Sequence, residues 1–394
     1  MGTGLASGRL SRWTRYFTVA SAFSLVVAQA LALLGTGRSL VTTVALFGFV
    51  CPMIFGMAYL LLPSYVGRTL VDQRLPGLHF ALAYLGAAGL AVGRVIDSTE
   101  FVRVGSTLWS LGVTIFVGAL ALTIVPAVRE RPEVVLRSAD RPQRSTRLAT
   151  ATIAVAIGYL VVGTVTLLSW VRTVPLPHAS FPAAVHYYGA GFGALLIFAL
   201  GARLIPGFFR VTPPRLGTWV VLVAGAVAPG LLAASLWGGI AFRIGGVLQT
   251  VAMIGYAGVV GYVFWQSERR RPGLYGIVLG ALAGIVAVGI NLPAAFGTVI
   301  PGQLRTHALT VITGFFALTV VGYAVQFFGV TGGRFRGATN SVVYATFAML
   351  TLGIVLSVVG LSIDALTVVR AGPALGLSGA LTYAYLISRR LLPV

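Results

Sequence analysis

Val185-His186-Tyr187-Tyr188-Gly189-Ala190-Gly191-Phe192 runs on through Gly201, Arg203 and Pro206 to Pro213-Pro214-Arg215-Leu216, and it decides how this chain is read. It is an apolar helix with a histidine near one end and a Pro/Arg-rich exit at the other. A matching stretch lies 121 residues later, around Thr306-His307-Ala308-Leu309-Thr310-Val311. Gly201 follows His186 by 15 residues, and Gly322 follows His307 by 15. A third copy, without histidine, runs from Thr43 to Pro63, the same 20 residues that separate His186 from Pro206.

The 394 residues around these stretches are 57% hydrophobic and 9% charged, and apolar runs recur along the whole length. That composition predicts an all-α polytopic membrane protein, forming one integral membrane domain over residues 1–394 whose solvent is the lipid bilayer. Helices are required because lipid offers backbone groups no hydrogen-bond partner. Twelve spans are expected, at 14–36, 40–66, 77–95, 104–127, 147–171, 181–207, 215–238, 244–266, 273–296, 304–330, 341–362 and 370–388. They fall into three pseudo-repeats of four helices, at about 14–127, 147–266 and 273–390. The matching pattern sits on the second helix of each block, and sites in repeated membrane proteins often lie where repeats meet. The first run follows Arg9, Arg12 and Arg15, but it is long and no small-residue cleavage site follows, so it is read as a span.

The net charge of +20 comes from 28 basic residues, all of them arginine. They sit in short connections, where they set topology and do not mark nucleic-acid binding. With both termini cytoplasmic, 21 arginines fall inside and 7 outside (Arg38, Arg94, Arg103, Arg172, Arg243, Arg305 and Arg370). The expected location is therefore the plasma membrane, crossed many times. All six tryptophans, Trp109 and Trp237 among them, are expected at span ends as interface anchors. The one long connection, 128–146, reads as a solvated cytoplasmic segment between repeats.

The lone cysteine, Cys51, excludes a disulfide framework and reads as a small buried apolar side chain. The eight acidic residues, from Asp72 to Asp364, fall in loops or at span ends. An ion-coupled carrier usually needs ionisable groups deep in the membrane, so that reading is weakened. His186 and His307 each lie a few residues inside the outer end of a helix, at similar depth. Neutral imidazole is a good ligand for haem iron or copper, and a matched pair offers more than one histidine does. A packed, hydrogen-bonded role is the alternative. His79 and His178 are expected at solvent or interface. Tyr187 and Tyr188 are candidates to bond a cofactor edge or to sit at the interface. Gly189, Gly191, Gly193, Gly314 and Gly322 either pack helices or clear room for a flat macrocycle. No zinc spacing, phosphate-cradling loop, C-x-x-C-H signature or Ser/His/Asp arrangement is visible, so no catalytic residue is assigned.

At these residues the chain resembles a known group. His307-Ala308-Leu309-Thr310-Val311 and the later Phe328-Gly329-Val330-Thr331-Gly332-Gly333-Arg334 are similar to the late histidine helix of the NnrS family. His186, its glycine-rich helix and Pro213-Pro214-Arg215 resemble that family's earlier one. Twelve helices in three blocks of four also resemble subunit I of the haem–copper oxidases, whose second-helix exit is similar to Pro63 to Ala81. The resemblance implies a haem- and copper-binding protein of nitric oxide or respiratory metabolism, with a b-type haem on His307 and His186 and a redox partner or respiratory subunit. The departures are equally specific. The second and seventh helices lack the oxidases' histidines, the position four residues after His186 is Ala190 where they have tyrosine, and Val330 stands where NnrS has histidine. A complete binuclear centre, and with it a terminal oxidase or nitric oxide reductase, is not expected. The alternative from another class is a cofactor-free multipass protein, either a small-molecule transporter or a structural partner. Oligomeric state is not legible.

Overall fold

A computed structural model describes residues 11–132, 144–175, 179–236, 238–363 and 365–392. His178, Trp237, Asp364 and most of the 128–146 connection lie outside the described residues. The described residues form helices and no strands. In chain order these are α1 Arg12–Leu33, α2 Arg38–Tyr65, α3 Leu75–Val95, α4 Thr99–Glu130, α5 Arg144–Trp170 and α6 Phe181–Phe209. They continue with α7 Arg215–Ala234, α8 Gly239–Gln266, α9 Pro272–Ala295, α10 Gln303–Phe328, α11 Asn340–Ser362 and α12 Leu366–Leu391. This is a multi-pass membrane protein, since α1 to α11 are each long and apolar enough to cross a bilayer. The least apolar helix, α12, carries Arg370 and the Arg389–Arg390 pair and is not among those eleven. Its length suffices, and it packs along both α11 and α1, so protein covers part of a surface that lipid would otherwise require to be apolar. The helix ends lie close to the sequence expectation. The widest gap is at helix starts, Thr99 for 104 and Gly239 for 244.

The packing repeats three times. Third and fourth helices pair (α3 with α4, α7 with α8, α11 with α12), and each fourth helix meets the first of the next block (α4 with α5, α8 with α9, α12 with α1). First and third helices also meet (α1 with α3, α5 with α7, α9 with α11), so nine helices close a ring around α2, α6 and α10. These three have 83%, 61% and 78% of their apolar stretches buried, against at most 50% for α1, α3 to α5, α7 to α9 and α11. Each also contains a π-helical segment: Val44–Val50 in α2, Tyr187–Ala194 in α6 and Thr310–Phe316 in α10. The first two begin directly after Thr43 and His186, and the third begins three residues after His307. A π-turn adds a residue to the helical repeat and re-aims the side chains beyond it, and such turns are frequent at functional sites.

Glycine lets the ring helices approach. A Cβ on Gly105 of α4 would lie 2.4 Å from the Leu90 backbone nitrogen of α3, so only a hydrogen fits there. The Trp109 side chain, expected at an interface, is instead fully buried. Its indole packs edge-on to Phe47 at 4.8 Å and donates to the Tyr188 hydroxyl at 3.0 Å. Trp265, by contrast, is 77% exposed, as an interface anchor would be. Cys51 is buried in the core, as an apolar side chain would be.

Candidate functional site

In an alternating bundle α2, α6 and α10 run in one direction, which brings their first turns to the same face. A cavity of about 410 Å³ opens there, lined by the starts of α2, α6, α8 and α10 and the ends of α3, α7 and α9. His186 and His307 both line it. His186 is five residues into α6 and His307 four into α10, about 6–8 Å below the helix starts at 1.5 Å per residue.

Each imidazole is held by one nitrogen. His186 Nδ1 lies 2.8 Å from the Pro182 carbonyl oxygen of its own first turn, and His307 Nδ1 lies 2.9 Å from the Ala287 carbonyl oxygen of α9. A carbonyl oxygen can only accept, so Nδ1 carries the proton in both rings. In the neutral ring Nε2 is then the bare nitrogen, and it has no protein hydrogen-bond partner in either residue. A backbone carbonyl on Nδ1 is the usual means of fixing the tautomer of a ligating histidine.

The remaining wall is mostly apolar, with Leu46, Phe181, Leu232, Phe242, Val288, Phe315 and Phe316 contributing. Besides the hydroxyls of Ser39, Thr42 and Thr250, two amides and two arginines interrupt it. Gln249 of α8 and Asn291 of α9 have buried side-chain oxygens without partners, and Arg38 and Arg94 stand at the rim. The Arg94 guanidinium lies 3.9 Å over the Phe181 ring and 5.3 Å from the Trp170 ring, and donates through Nη1 to the Ser39 hydroxyl. Its Nε and Nη2 are buried and unpartnered. Leaving such donors unmade costs about 1–3 kcal/mol each, more for charged groups.

Tyr187 and Tyr188, expected at a cofactor edge, do not line this cavity. Tyr187 stacks on Tyr159 of α5 at 6.0 Å, and Tyr188 is fully buried among α2, α4 and α5. There its hydroxyl meets Trp109 Nε1 and Thr164 Oγ1. His79, expected at solvent or interface, is fully buried. Its Nδ1 is 3.0 Å from the Tyr59 hydroxyl, and rings of Phe17, Phe55 and Phe116 surround it at 4.6–5.5 Å. The first turn of α3 places it inside the first block because α1 and α4 cover that side. Of the five glycines expected to pack helices or clear room for a macrocycle, four receive protein. A Cβ would meet the Tyr159 ring at Gly191, the Phe316 ring at Gly193, Ala283 at Gly314, and the α9 backbone at Gly322. Gly189 lines the cavity, with only Phe316 at 4.0 Å. No group of three or more His, Cys, Asp or Glu side chains comes together among the described residues.

The sequence reading missed Gln249, Asn291 and the rim arginines as site residues. The signal was available for the first two, since uncharged amides within apolar runs need a reason to be there. Fold and site thus define a class: a multi-pass helical membrane protein whose three central helices open on a two-histidine cavity. Compared with known proteins, the chain matches no family model and no curated protein.

Proposed function

We propose that this chain is a membrane haem protein, holding one non-covalent, b-type haem in the histidine cavity. The observation that carries the reading is the pair of imidazoles on repeat-related helices, each tied at Nδ1 and bare at Nε2, both lining one void. The residues present fit the group: apolar walls for the ring, imidazole nitrogen for the iron and arginines at the rim. His307 would be the residue to hold the iron, because a carbonyl of a neighbouring helix fixes its ring. His186, tied within its own turn, would serve as a second ligand or as a group facing whatever the iron binds. A haem bound there would supply an iron centre for electron transfer or diatomic-gas binding. Phe315, Phe316 and Leu46 exclude water, and the Pro182 and Ala287 carbonyls keep both Nε2 atoms deprotonated. Copper is the poorer fit, with two imidazoles as the ligand set. The sequence resemblance points to nitric oxide or respiratory physiology, with the cavity facing outward, a redox partner, and no complete binuclear centre for oxygen or nitric oxide reduction.

The test is the absorption spectrum of protein purified after expression with ample haem. A Soret band is expected, reduced or lost in H307A and altered in H186A. Its absence from folded wild-type protein removes the proposal.

One observation favours a second reading, a cofactor-free transporter. A smaller, wholly apolar pocket of about 80 Å³ lies among α2, α6 and α10 on the other side of their π-helical segments, lined by Met53, Leu200 and Phe327 among others. Two voids on opposite sides of one constriction are what a conduit needs. This reading expects H186A and H307A to leave spectrum and function unchanged.

A further inference from the structure

Among the described residues, no ion pair balances the arginines at the rim of the histidine cavity. Among the described residues there are two ion pairs, Arg68–Glu130 and Arg103–Glu100. Neither involves Arg38, Arg94 or Arg305. Arg38 and Arg94 line the histidine cavity, and Arg38 and Arg305 line a smaller neighbouring one. These are three of only seven arginines on the face that arginine otherwise avoids.

Arg94 is the most informative of them. The Phe181 and Trp170 rings and the Ser39 hydroxyl fix its guanidinium through the faces and through Nη1. The two atoms left without partners, Nε and Nη2, are the two donors of one edge of the guanidinium. Those parallel N–H groups match the two oxygens of a carboxylate, a pairing that a lysine cannot reproduce. An arginine held in place with one complete fork vacant is preorganised for a planar anion, not for screening by water.

We propose that the histidine cavity selects amphipathic ligands bearing a carboxylate, with the Arg94 fork as the carboxylate site and Arg38 and Arg305 as the supporting field. Resting on the haem reading, the carboxylates are the two acid side chains of the porphyrin, with its ring toward His186 and His307. The same chemistry has a second source, the carboxylate of a fatty acid with its chain against the apolar wall.

The experiment titrates detergent-purified full-length protein with haem and with haem dimethyl ester, whose acids are masked, following absorbance. The ester is expected to bind at least about tenfold more weakly, the loss of one charge-assisted pair. In R94A and R94K, haem affinity should fall to that of the ester while ester affinity stays put. R94K retains charge without the fork, so its failure to rescue separates geometry from charge, and it serves if R94A does not fold. Equal affinity of wild-type protein for acid and ester overturns the proposal. So does a loss of both ligands together in R94K. If neither porphyrin binds, the haem reading has failed by itself. The carboxylate site is then decided by a second arm, in which dodecanoate but not dodecanol raises the melting temperature of wild type and not of R94K. No difference between dodecanoate and dodecanol, or the same difference in R94K, overturns it.

Discussion

Replacing Tyr188 by phenylalanine removes one oxygen atom, and the structure says what that atom holds. Trp109 Nε1 donates to the Tyr188 hydroxyl at 3.0 Å. Thr164 Oγ1 lies 2.8 Å from the same hydroxyl and already donates its own proton to the Leu160 carbonyl at 2.8 Å. Tyr188 must therefore donate to Thr164, giving a directed chain of three hydrogen bonds across α4, α6 and α5. Without the hydroxyl, Thr164 keeps its bond to Leu160, but the indole N–H, a donor only, is left buried with nothing to accept it. An orphaned buried donor costs about 1–3 kcal/mol, and the broken chain adds to the upper end of that range. The adjacent Tyr187→Phe change is the control. Tyr187 contributes a ring stacked on Tyr159, and no hydrogen bond to its hydroxyl is present, so the cost should stay within about 0.5 kcal/mol. The assay is reversible or kinetic unfolding in detergent, read by tryptophan emission, alongside the Soret band that the proposed haem would give. Y188F should be the less stable of the two by more than about 1 kcal/mol with an unshifted Soret band. If Y187F and Y188F cost the same, or if Y188F alone removes the Soret band, the structural assignment of Tyr188 is wrong.

Further outcomes follow from other contacts. G105A should destabilise by about 1–3 kcal/mol, because its Cβ would press on α3 backbone that cannot yield, whereas G118A, with nothing within 4 Å, should be neutral or gain up to about 1 kcal/mol in helix propensity; equal denaturation midpoints would contradict the close approach of α3 and α4. Y159F should cost about 1–3 kcal/mol, since the Tyr159 hydroxyl donates to the Ala226 carbonyl at 2.6 Å and accepts from the Gly230 amide at 3.0 Å, inserting itself into the α7 ladder around Pro229. A Y159F protein as stable as wild type would show that α7 repairs its own ladder. H79F should leave the haem spectrum unchanged and alter stability by no more than about 1 kcal/mol, because it removes an unpartnered Nε2 while stranding the Tyr59 hydroxyl; a lost Soret band would move the site to the first block.

The fold class could be read from the chain because bilayer physics acts on segments one at a time. Any run of about 20 apolar residues must close its own backbone hydrogen bonds, so span positions follow from hydropathy alone. The register joining Thr43, His186 and His307 was equally visible, and those positions lie at or near the start of the π-helical segments of the three innermost helices. The errors concern which way side chains face. Trp109 and His79 stand near span ends, where tryptophan and histidine commonly meet the interface, yet both are buried because their helices present those positions inward. Tyr187 and Tyr188 are successive residues of one helix and point to different sides of its axis, so they meet different surroundings whatever their shared chemistry.

The solvent, the approximate length and placement of the helices and the spacing shared by Thr43, His186 and His307 were legible in the chain, since each depends on local composition and spacing. Only the tertiary structure decided that two histidines 121 residues apart line one void, that Gln249, Asn291 and Arg94 line it with them, and that one edge of the Arg94 guanidinium is left without a partner. Those facts depend on how helices from separate blocks rotate and pack against one another. No property of any single segment encodes that rotation.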